Sequence, residues 1–305
     1  MNAVAETAAV RAEVPLPEPR PSFAGAVRGE ILKLSRQGWI WAMLGLALLF
    51  YLVLNAALFQ AGNFRQTLER NPSQFAFNLY DIYLTLFDTG SGIFLLLVSA
   101  RLVGMEYSAG TIRVLLARGA GRLRLLFAKL AALALVGLLL LTGFLALTVA
   151  AVYGIVVRWE GSFNKISSLP GHVWTDLSIV VLVSFVSMAM SILIGVTAAV
   201  VGRSLAFGIV AALVFYPADN LVTVIMQLVH GLTNQHLFLD VTGYLLGPNL
   251  NNLPVVLETG HRARAAFMVP LVQVDATHTW LVIGAWALAF VVASVGLTRR
   301  RDVLQ

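Results

Sequence analysis

The sequence predicts an all-α polytopic membrane protein with six transmembrane helices, and three observations lead there. Of its 305 residues 59% are hydrophobic and only 12% charged, where a soluble domain carries about 25% charged residues. Apolar runs recur along the chain, most of them longer than the roughly 20 residues that cross a bilayer. The lysines and arginines fall in alternate connections between those runs. Mean hydropathy is +0.84, and the length suits one membrane domain, residues 23–305, without a separate soluble one. The chain has no cysteine, which removes disulfides, thiolate chemistry and cysteine-held zinc. The pI near 10.0 reads as the charge bias of a membrane protein rather than as a nucleic-acid interface.

The elements follow in order. Residues 1–22 are charged and proline-rich, with no apolar stretch before a small-residue cleavage site. They read as a disordered cytoplasmic tail. Phe23, Val27, Ile31 and Leu34 then recur on one helical face, with Arg28, Lys33 and Arg36 mostly off it. Such a helix lies in the headgroup layer with its basic side on anionic lipid; a plain extension of the first span is the alternative. Charge-free runs at Gly38–Phe59, Leu130–Val157, Leu177–Gly202 and Ala276–Thr298 give four spans. Another starts at Ser204 and reaches about Val229 if Pro217 only kinks it.

The remaining candidate, Leu79–Val103, contains Asp81, Asp88 and Arg101. Charge bias decides its case. If it spans and the N-terminus is cytoplasmic, fifteen basic residues fall inside and six outside. If it does not, the tally becomes nine inside and twelve outside. Six spans with both termini cytoplasmic is the reading to keep. Residues 60–78 and 158–175 are then short external connections, and 202–204 is a tight cytoplasmic turn. The external segment 231–275 has GPNLNNLP as its turn-forming middle, with room for a re-entrant or interfacial helix.

The loop after the second span reads GMEYSAGTIRVLLARGAGR. Thr111 is a helix N-cap, and Gly119 supplies a left-handed residue to end the helix. Ile112–Arg118 then makes about two turns, roughly 10 Å. Ile112, Leu115 and Leu116 share one face, while Arg113 and Arg118 point elsewhere. Such a helix can pack on its own bundle, lie on the membrane or enter a groove on a cytosolic partner, and composition does not choose among these.

The run Gly104, Glu106, Gly110, Thr111, Leu115, Leu116, Arg122 and Lys129 resembles the signature of the type-two ABC exporter permeases. In that family G-x-E-x-x-x-G-T, a Leu-Leu pair, then Arg and Lys join the second span to the third. Gly119 stands where the family often has proline. The resemblance implies an integral membrane half-transporter of the cell membrane, the bacterial inner membrane by its arginine-rich usage. Its short coupling helix docks on a separate cytosolic ATP-binding subunit, and two permease chains, identical or not, form one pathway as a dimer. ATPase coupling then falls on Glu106, Gly110, Thr111, Ile112, Arg113, Leu115 and Leu116. The three apolar residues fill the ATPase groove, Glu106 and Arg113 pair with each other or with the partner, and Gly110 permits close backbone approach. Arg122, Arg124 and Lys129 are expected to anchor the third span at the headgroups. No G-x-x-x-x-G-K-[ST] occurs, so ATP and Mg belong to the partner, this chain binds no cofactor, and it is no enzyme by itself.

Within the spans, Asp81, Thr85, Asp88, Gly92 and Ser99 form a polar stripe. An ionisable residue inside a span points to a pathway, which makes Asp88, Thr85 and Ser99 the candidate substrate pathway. Asp81 fits a headgroup position, and Asp88 fits either. Ser184, Ser187, Ser191 and Gly195 form a small-residue stripe suited to close helix packing. The five histidines form no cluster with carboxylates, so no metal site is expected, and no catalytic constellation either. Two other function classes share the composition: a secondary transporter or channel, and a membrane anchor for a cytosolic protein. Against the first stand the lack of obvious inverted repeats with paired broken helices and the shortage of intramembrane charge; co-purification of an ATP-binding subunit and ATP-dependent flux would exclude the anchor. The absence of native cysteine makes labelling a clean test of topology. Ser108→Cys is expected to react with an impermeant maleimide only in opened cells, and Asn252→Cys from outside.

Overall fold

The computed structural model describes residues 22–110, 121–258 and 268–300. Among them the chain is helical: α1 (Phe23–Ser35), α2 (Gly38–Gln60), α3 (Gly62–Arg70), α4 (Pro72–Ser108), α5 (Arg122–Glu160), α6 (Asn164–Ser167), α7 (Gly171–Gly202), α8 (Leu205–Thr233), α9 (Leu237–Thr242), α10 (Leu246–Leu257) and α11 (Ala276–Arg300). Six of these, α2, α4, α5, α7, α8 and α11, are long and apolar enough to cross a membrane. The doubtful second span is among them, and α8 runs unbroken through Pro217. Crossing six times leaves α1, the end of α4, the Arg203–Ser204 turn and the end of α11 on one side, termed the near side here. The far side carries α3, α6 and the connection from α8 to α11. Most of the expected N-terminal tail lies outside the described residues.

The bundle is built around α4 and α7. Their most apolar stretches are 50% and 56% buried, whereas the other spans reach at most 22% and turn most of their apolar surface outward. Close approach at this centre depends on small residues. A Cβ on Gly195 would lie 2.8 Å from the Leu96 carbonyl and overlap the Ser99 hydroxyl. At the next crossing, a Cβ on Gly208 of α8 would lie 2.9 Å from Ala199 Cα on α7. The serine stripe of the fourth span packs into the same centre, with Ser184 and Ser191 buried.

One expectation is corrected on the far side. GPNLNNLP is not a turn but the body of α10. Pro248 falls in the first helical turn, where no amide donor is required. Asn249 and Asn252 turn inward, and Asn249 Nδ2 donates to the Gly243 and Leu245 carbonyls at 2.8 and 2.8 Å. The turn instead comes earlier, at Gly243–Leu245. Trp286 Nε1, about 15 Å along α11 from its start, donates to the Tyr244 carbonyl at 3.0 Å. His278 Nε2 meets the Gly243 carbonyl at 2.8 Å. So α9 and α10 pack against α8 and α11, and protein groups satisfy the irregular backbone between them, the condition for such backbone if it lies at membrane depth. Asn252 is buried beneath α10 and reaches Thr279. It is a poor reporter of the far side; the exposed Ser168 is the better site for a cysteine.

Gly195→Ala is expected to lower stability by about 1–3 kcal/mol, because the added methyl meets backbone that cannot yield. Gly143→Ala, with nothing near its Cβ, should match or exceed the parent. Thermal unfolding of the two variants in one detergent would reverse this picture if their order were inverted.

Candidate functional site

The 37 residues of α4 make about 55 Å of helix, more than a bilayer needs, and its last turns project on the near side. They carry Gly104 and Ser108, which both meet the start of α8, and Glu106, which meets α1 and α5. A Cβ on Gly104 would lie 2.8 Å from Leu205 Cα, so only glycine lets the α7–α8 turn sit against α4. Ser108 Oγ accepts the Leu205 amide at 3.0 Å, satisfying one of the orphan donors at the start of α8.

Glu106 is buried and belongs to a closed ring of charges. Lys129 Nζ of α5 reaches Glu106 Oε1 at 2.7 Å and Glu30 Oε2 of α1 at 2.9 Å, and donates to the Leu102 carbonyl at 3.2 Å. Lys33 Nζ closes the ring on Glu30 Oε1 at 2.7 Å and Glu106 Oε1 at 2.9 Å. Two carboxylates and two ammoniums balance, which is the condition for burying charge at all. The three buried members are 3% (Glu30), 8% (Glu106) and 3% (Lys129) exposed. Burial draws the Lys33 pKa down, but hydrogen bonds and attraction from Glu30 and Glu106 outweigh it, leaving it above its ordinary 10.5. Its contribution is complete below about 10.4 and is lost as pH rises through the raised value, so it is constant near neutrality.

The elbow between α1 and α2 is fixed by the second span as well. Gln37 Oε1 accepts from Trp39 Nε1 at 2.7 Å and from Arg101 Nε at 3.2 Å. The Arg101 guanidinium lies 5.2 Å from the Trp39 ring centre, a cation–π contact that suits a half-buried arginine. Arg101, one of the three charged residues that weakened the case for the second span, is one of its fastenings.

Several sequence expectations change here. Lys129 is not a headgroup anchor: two carboxylates and a carbonyl hold its ammonium inside the bundle. Gly110, with φ +65°, is the left-handed residue that ends α4, and among the described residues nothing lies within 4 Å of its Cβ position. α1 does not merely rest on lipid, because its Glu30 and Leu34 are buried against the bundle. Thr111, Ile112, Arg113, Leu115 and Leu116 lie outside the described residues. Of the stripe in the second span, Thr85 is exposed, Asp88 half-buried, and Ser99 fully buried, its hydroxyl donating to the Leu95 carbonyl. These three do not converge on one surface. Sequence reasoning missed Glu30, although a carboxylate between Val27 and Leu34 on an apolar face signals a buried charge in need of a partner.

A family model described as "ABC-2 family transporter protein" matches residues 26–234, more than half of the chain and nearly all of α1 to α8. The chain belongs to the ABC-2 transporter family. It is an integral membrane permease of that family, a membrane component of a generally non-enzymatic kind. No curated protein matches the chain. In this ABC-2 permease the matched region holds the whole charge ring, while α9, α10 and α11 lie beyond it.

Removing the centre of the ring should cost far more than removing its rim. Lys129→Ala leaves two buried carboxylates without their shared ammonium and is expected to cost about 3–5 kcal/mol. Lys33, with its side chain 47% exposed, should cost at most about 1 kcal/mol on the same change. Thermal or denaturant unfolding in detergent measures both; equal losses would show that the ring is not organised around Lys129.

Proposed function

We propose that this chain is the permease subunit of an ATP-driven exporter, driven by a separate cytosolic ATP-binding subunit coupled through the 104–122 loop. The observation that carries this reading is the convergence at the near end of α4. The start of that loop is fastened to α1 and α5 through Glu106, and to α8 through Gly104 and Ser108. A push on the loop is delivered to four helices at once, as a coupling element requires. A plain membrane anchor has no need of such a linkage.

In this reading the near side is cytoplasmic, in agreement with the excess of basic residues there, and both termini are inside. The membrane is the bacterial inner membrane. ATP and Mg are held by the partner, and a second permease chain completes the pathway. Ile112, Leu115 and Leu116 fill the partner's groove, with Thr111 starting the short helix and Arg113 at its rim. Glu106 acts from behind, holding the base of the docking segment rather than touching the partner. Asp88 remains the residue of the second span best placed by chemistry to meet a substrate.

Leu116→Asp is expected to abolish co-purification of the ATP-binding subunit while the permease stays monodisperse. A carboxylate forced into an apolar groove costs several kcal/mol, whereas on a surface free of partner it costs little. Retention of the ATP-binding subunit at the parent level would overturn the docking assignment.

A further inference from the structure

The far side has its own fastening, unrelated to the charge ring. Asp219 sits in α8, half-way along its 29 residues, and is 9% exposed. Its Oδ2 accepts the Gly247 amide, and the Leu246 amide lies near enough to favour the ionised carboxylate. Those two amides are the first of α10, whose N-cap residue Leu245 has no side chain able to cap. Asp219 caps α10 from another helix, and its negative charge faces the positive end of the helix dipole. No ion pair involves Asp219 among the described residues, so the helix terminus is its electrostatic partner.

The contact is tight from the other side. A Cβ on Gly247 would lie 3.0 Å from Asp219 Oδ2 and 2.7 Å from Asn220 Nδ2. Asn220 Oδ1 in turn accepts from Asn251 Nδ2 at 3.0 Å, and its amide donates to the Tyr216 carbonyl at 2.9 Å. α10 has no charged residue over Leu246–Leu257. With no charge of its own to anchor it, its first turn is held at Gly247 by the Asp219 carboxylate.

We infer that Asp219 is a latch that seats the helix α10 against the fifth span, and that releasing it opens the far side of the bundle between the fifth and sixth spans. The latch is separate from the near-side junction, since Asp219 lies about 21 Å along α8 from Leu205, which Ser108 and Gly104 meet. Two variants attack it from opposite sides. Asp219→Asn keeps the shape and removes the charge that faces the helix terminus. Gly247→Ala keeps the charge and wedges the contact apart.

Leu253, fully buried on α10, serves as the reporter in a chain with no other thiol. Leu253→Cys should resist an impermeant maleimide applied from the far side. Adding either Asp219→Asn or Gly247→Ala should raise its labelling rate at least tenfold. Leu133→Cys, buried in α5, should stay unreactive in the same two backgrounds. Rapid labelling of Leu253→Cys without a latch variant would show that α10 is not seated, and overturn the inference. So would labelling that neither variant changes. Equal rises at Leu253→Cys and Leu133→Cys would mean general loosening and overturn it too.

Discussion

The ammonium of Lys129 sits between two carboxylates that belong to different parts of the chain, Glu30 in the amphipathic helix and Glu106 at the end of the second span. Desolvating three such groups is expensive, and their mutual attraction repays it only when the geometry closes. Such a ring contributes less to net stability than to uniqueness: an alternative packing of α1 leaves a charge buried alone. The near side of the molecule is organised by that constraint. With α1 held at Glu30, the elbow at Gln37 meets Arg101 and Trp39, and the first span leaves the bundle at a set angle.

The signature residues divide their work in a way their spacing does not reveal. Gly104 is small because Leu205 of another helix lies against it. Gly110 is glycine because the helix ends there in a left-handed conformation. The two glycines satisfy different constraints, one between helices and one within the backbone. Glu106 lies between them, on the side of α4 that faces α1 and α5. Together they turn one helix end into the junction of the near side, where α1, α5 and α8 meet α4.

The far side solves a different problem. Backbone that is neither helical nor paired is tolerated in a bilayer only where protein satisfies it. The turn from α9 to α10 meets this with side chains from three elements: Asn249 from α10 itself, Trp286 and His278 from α11 or its first turn, and Asp219 from α8. Polar residues that looked like turn formers in GPNLNNLP are used as internal ligands for the backbone.

The sequence by itself determined the six spans, the side on which the basic residues gather, and the family signature. Each is local: apolar length decides whether a helix crosses, and Pro217 does not stop one that neighbours support. Tertiary structure decided what the polar residues do. Glu30 and Lys129 are 99 positions apart, and no periodicity links them. Ser99 reads as a pathway residue along its own helix, yet Gly195 of α7 covers it. Pro248 and three asparagines read as a turn by propensity, yet they fold as a helix once Asp219 caps its first turn. In each case the deciding partner comes from another helix, and a charge or an amide buried in a membrane takes its meaning from that partner.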